Sequence, residues 1–111
     1  MARGATGLLA LLLCAAGPTR AQLRIEFSEN PVRSDQVVIA WPAPTGDSHL
    51  EIYTFTGERI FTATVAAPSN EYVWDLTLGG TRRVVNGAYI VVVDVAGQTY
   101  RRRLFIDRPP Q

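Results

Sequence analysis

From residue 23 onward, apolar and polar residues alternate along this chain with period two, and no stretch repeats with a helical period. Leu23, Ile25 and Phe27 alternate with Arg24 and Glu26, which predicts a first strand with one buried face. Asn30-Pro31 interrupts it, because a proline offers no ladder donor and biases the residue before it away from the helical region. Val37, Ile39 and Trp41 form the next inward set, and Pro42 to Asp47 reads as a loop. In the third strand Leu50 and Ile52 point to one side and His49, Glu51 and Tyr53 to the other. Thr56-Gly57-Glu58 makes a compact return into a fourth strand, Arg59 to Val65, with Gly57 free to take the positive φ of a hairpin. Ala66 to Asn70 is a second loop.

The last third carries the strongest pattern. Tyr72, Trp74 and Leu76 alternate with Val73 and Asp75 in a fifth strand, and Leu78 to Arg83 loops out. Asp75 is placed to accept from amides of the following loop. In the sixth strand Tyr89, Val91, Val93 and Val95 make the inward set, with Ala88, Ile90, Val92 and Asp94 opposite. The apolar residues on both faces predict a central strand covered on both sides near its start; the other reading is an apolar surface for a partner. Gly87 opens this strand where a side chain would crowd a neighbour. A turn at Ala96-Gly97 leads to the closing strand, which ends Arg101-Arg102-Arg103-Leu104-Phe105-Ile106. About seven short antiparallel strands at regular spacing predict an all-β fold, an immunoglobulin-like (fibronectin III-like) β-sandwich.

Composition changes this picture mainly at the ends. Met1-Ala2-Arg3 gives a positive start, Leu8 to Ala16 is an uncharged apolar run, and Thr19-Arg20-Ala21 places small residues where a signal peptidase reads them. Residues 1–21 are therefore expected to be a signal peptide, 22–106 the sandwich and 107–111 a loose C-terminal tail. The apolar run is too short to span a bilayer and no later one reaches 18 residues, so no transmembrane segment is expected. Removing 21 of the 111 residues leaves 90, without the only cysteine, Cys14. Cys14 is read as a passenger of the signal and not a lipidation site, since Leu13 stands before it where a small residue is needed.

Charge argues against a polyanion binder. Of 11 basic residues Arg3 and Arg20 leave with the signal, so 9 face 10 acids and the mature balance is −1. Arg101, Arg102 and Arg103 alternate faces on a strand and cannot form one patch, which points to protection of an exposed edge. His49 is the only histidine, so no second imidazole exists for a histidine metal cluster, and none of the acids has EF-hand spacing. No catalytic residue, cofactor site or metal site is assigned, and the chain is read as a non-enzyme.

The ordered features resemble the C-terminal sorting domains of the bacterial type IX secretion system and the related immunoglobulin-like domain of flagellar hook-capping proteins. The residues that carry the resemblance are Asn30-Pro31-Val32, Val37 to Trp41, Leu50-Glu51-Ile52-Tyr53 and Thr56 to Ile60. They continue through Trp74-Asp75-Leu76, Asn86-Gly87-Ala88-Tyr89 and Arg103 to Ile106. The resemblance implies an exported module, on the cell surface, outside the cell or in the periplasm, that docks on export machinery or other surface proteins. It implies Gly87, Tyr89, Arg103, Leu104, Phe105 and Ile106 as the sorting or docking residues. The alternative it carries is a structural or adhesion domain of the hook-capping type, to which the long Thr77 to Val85 insertion is closer.

Overall fold

The computed structural model describes residues 24–110. The expected signal peptide with Cys14, the start of the first expected strand at Leu23, and Gln111 lie outside these described residues. Seven strands occur in chain order: β1 (Glu26–Phe27), β2 (Val37–Ala40), β3 (Ser48–Thr54), β4 (Arg59–Val65), β5 (Glu71–Trp74), β6 (Gly87–Val95) and β7 (Gln98–Ile106). They form a three-stranded antiparallel sheet, β1-β2-β5, and a four-stranded one, β4-β3-β6-β7. The all-β sandwich read from the alternation is the fold, and no described residue is helical.

Alternate residues of both sheets fill the space between them. Val37, Ile39 and Trp74 from one sheet meet Leu50, Ile52, Val91, Val93 and Leu104 from the other, all essentially without solvent contact. Both tryptophans satisfy their indole N–H inside this core, as a buried polar atom must. Trp41 Nε1 donates to the Ser48 hydroxyl at 2.9 Å, and Trp74 Nε1 donates to the Thr77 carbonyl at 3.3 Å.

Local chemistry sets the strand ends. Thr54 and Gly57 close the β3–β4 hairpin, with Gly57 at φ 101° as the turn requires. β5 stops at Trp74, two residues short of the expected alternation. There the Asp75 carboxylate accepts from the Thr77 amide at 3.2 Å and its hydroxyl at 2.6 Å, turning the chain away from the ladder. Leu76 takes φ 63° at that turn and is still fully buried. The β6–β7 hairpin closes through Ala96 and Gly97, both at positive φ, the hand that matches strand twist.

Two expectations need correction. A Cβ on Gly87 would meet nothing within 4 Å; its φ of 156° favours glycine there, not crowding. The C-terminal segment is also less loose than its prolines suggest. Asp107 N donates to the Val32 carbonyl, Arg108 exchanges two hydrogen bonds with the Asn86 side chain, and its guanidinium reaches the Val84 carbonyl at 2.7 Å. The prolines end the ladder, while these bonds fasten Asp107 and Arg108 just before them.

Candidate docking face

β7 is an edge strand, and its two halves are treated differently. Its last residues are closed by the segment after β1. Val32 N donates to the Phe105 carbonyl at 2.7 Å, while the Asn30 carboxamide accepts from Phe105 N and donates to the Arg103 carbonyl. Phe105 and Arg103 therefore turn their outer backbone groups toward this chain's own segment. Nearer the hairpin, Arg101 stands exposed beside Thr99, as edge protection by charge predicts.

Arg102 does something the sequence did not foretell. It lies on the inner side, half-buried, with Nη1 2.8 Å from the Ile25 carbonyl and 3.2 Å from Glu26 Oε1. Its guanidinium also sits 5.4 Å from the Phe27 ring centre. It straps the edge of one sheet to the edge of the other. Only period two hinted at this, by putting Arg102 on the opposite face from its neighbours.

The register of the four-stranded sheet assembles its outer face in rows. Tyr53, Ile90 and Arg103 stand side by side; Glu51, Val92 and Arg101 form the next row; Ala88 pairs with Phe105 at the end. No third layer covers this face among the described residues, so the expected cover on both sides of β6 is not found. Ile90 and Val92 are half-buried because longer side chains rise around them. Between those walls runs an open groove of about 470 Å³, with Ile90 and Val92 as floor and Tyr53 and Arg101 on opposite sides.

Glu51 organises one wall. Its carboxylate accepts from the Tyr53 hydroxyl at 2.8 Å and from Arg59 Nη1 at 3.0 Å, with His49 Nε2 3.4 Å away. These partners, the Tyr53 hydroxyl first, hold its carboxyl below the usual carboxylate range against the opposing effect of desolvation. A lowered folded pKa contributes stability that is complete above the ordinary carboxylate range and is lost as pH falls through the lowered value. Tyr53→Phe is expected to move the Glu51 carboxyl back up, read by an NMR pH titration of its side-chain carbon. An unmoved titration would mean that the Tyr53 hydroxyl does not set it.

The six residues that resemblance singled out fall into two groups. Gly87, Arg103 and Phe105 are exposed, Phe105 at 42 %, whereas Tyr89, Leu104 and Ile106 belong to the core at 5 %, 0 % and 2 %. Tyr89 donates its hydroxyl to the Val85 carbonyl, and burial pushes its pKa up. The first group is open to solvent; the second lies in the core beneath the same two strands. Tyr53, Ile90, Val92 and Arg101 were not singled out, although their places on outward-facing positions were readable from the alternation. Aromatic and arginine side chains around an apolar floor are the composition of a protein interface. Among the described residues no group of three His, Cys, Asp or Glu could hold a metal ion, and no helix is long and apolar enough to cross a membrane.

No family model matches the sequence, and no curated protein matches it. Among the solved structures similar to it are two from one organism. PorZ of Porphyromonas gingivalis, an essential bacterial surface component of the type-IX secretion system, superimposes with a TM-score of 0.61 and 26% identity over 76% of this chain. Dimeric latent PorU from the same organism does so at 0.55, with 24% identity over 77% of this chain, a likeness of fold alone. The chain spans 11% of PorZ and 9% of PorU, so the similarity is to a domain-sized part of each.

Proposed function

We propose that this chain is a non-enzymatic, exported β-sandwich module of the type IX secretion kind, serving as a sorting or cell-surface attachment domain. The similarity to part of PorZ over three quarters of the chain carries the reading. The partner is a component of the export machinery or another surface protein. It docks on the outer face of the four-stranded sheet, with Phe105 and Tyr53 as aromatic anchors, Arg101 and Arg103 as polar ones, and Ile90 and Val92 as the apolar floor. Tyr89, Leu104 and Ile106 act from beneath, by holding β6 and β7 in place.

A fusion tests this. Residues 22–111 are appended to a reporter that has its own signal peptide, in a host with type IX machinery. The reporter is expected outside the cell or on its surface, and retention in the periplasm would sink the sorting role. Deleting the last strand is uninformative, because Leu104 and Ile106 are core residues. The discriminating variant is Arg103→Glu with Phe105→Ala, which alters the exposed face alone and is expected to leave the fusion in the periplasm.

A further inference from the structure

Four strand edges bound the two sheets, and three are protected. β7 has its arginines and the Asn30–Val32 segment; β1 is two residues long and β5 only four. β4 is the exception. It is seven residues long, and from Ile60 to Val65 it contains no charge, proline or glycine. Among the described residues it pairs only with β3. Six successive uncharged residues, four of them β-branched, make the kind of edge that accepts another strand.

The ladder shows which groups face out. Thr54 N is bonded to the Glu58 carbonyl, so in alternation Ile52, Leu50 and Ser48 turn their backbone groups toward β4 and meet Phe61, Ala63 and Val65. Thr62 and Thr64 therefore direct theirs away from the sheet. Their side chains are exposed, and an open hollow of about 360 Å³ lies beside Arg59 to Thr62, reaching across to Gly79.

From this edge we infer that β4 pairs antiparallel with β4 of a second copy, joining two four-stranded sheets into one of eight. The segment is self-complementary about Ala63. That register sets Ala63 opposite itself, Thr62 opposite Thr64 of the copy, and Phe61 opposite Val65. No charge meets a like charge, because Arg59 falls beyond the pairing. The same arrangement at β7 would bring Arg101 and Arg103 against those of the copy. A formal net charge of +1 for the whole chain, or −1 once residues 1–21 are removed, adds little repulsion between molecules. Threonine pairs and aromatic–β-branched pairs are favourable cross-strand neighbours. An interface of one strand edge is small, so the dimer is weak and dependent on concentration.

Sedimentation equilibrium of the chain from micromolar to millimolar concentration tests it. The weight-average mass is expected to rise toward twice the monomer. Thr62→Lys with Thr64→Lys puts like charges opposite each other twice, and is expected to weaken the dimer by at least about tenfold. Thr62→Glu with Thr64→Lys makes those same pairs opposite in sign and is expected to restore it. Both positions are exposed, and unfolding curves at monomeric concentrations check that the variants fold. A monomer throughout the range, or a dimer indifferent to both double variants, would overturn the proposal. Arg103→Glu with Phe105→Ala is expected to leave the dimer intact, which keeps this edge experimentally separate from the docking face.

Discussion

Replacing Trp74 with alanine is expected to lower the free energy of unfolding by about 3–5 kcal/mol. The ring is 1 % exposed at the point where both sheets and the loop after β5 meet. It lies 6.0 Å from Phe61, centre to centre, and edge-on to Tyr89 at 6.4 Å. Its removal opens a cavity in a close-packed core and ends both aromatic contacts. The Thr77 carbonyl also loses its indole donor. Natural domains hold only about 5–15 kcal/mol, so the variant should sit close to its unfolding midpoint at physiological temperature. Urea unfolding followed by the fluorescence of Trp41 measures it. Trp74→Phe keeps a ring and loses the N–H, and should cost less, about 1–3 kcal/mol. A cost below about 1 kcal/mol for the alanine variant would contradict the placement of Trp74 in the core.

The same residue shows what the alternation could and could not reveal. Trp74 was readable as an inward position because period two assigns a face to every strand residue, and β4 emerges with the bounds its pattern implies, Arg59 to Val65. Contacts distant in sequence were not readable. Arg102 reaches a carbonyl 77 positions away, and Asn30 clamps backbone 73 and 75 positions away, without any local mark of the partner. Leu76 misled for a related reason. Its burial was foreseen, but Asp75 had already pulled the chain off the ladder through a side-chain bond that competes with strand pairing.

The candidate site was legible in part for the same cause. Resemblance supplied a short run of neighbouring residues, Arg103 to Ile106, and a strand sends such neighbours to opposite faces. A motif read as one block thus mixes two physical roles. The wall opposite it, Tyr53 and Glu51, comes from β3, about 50 residues earlier in the chain, and joins the face only through the register of β3 on β6.

Those two roles predict opposite outcomes for adjacent residues. Leu104→Ala is expected to cost about 2–5 kcal/mol, as truncation of a fully buried leucine does. Export of a fusion bearing it should fall only as far as the folded fraction falls. Phe105→Ala is expected to cost clearly less, about 1 kcal/mol, because the residue is partly covered and lies outside the core. Its hydrogen bonds to Asn30 and Val32 are made by the backbone and survive the substitution, while the side chain lies outside the core on a residue that is 42 % exposed. Yet Phe105→Ala should reduce export or surface attachment as strongly as the Arg103→Glu exchange beside it. Unfolding curves and cell fractionation on the same variants separate the effects. If Phe105→Ala were exported normally while Leu104→Ala failed, the sandwich would need only to be folded, and the outer face would have no part in docking. If Phe105→Ala failed while folding normally, the partner reads side chains on that face, because the backbone edge at that position is already occupied by Val32 and Asn30.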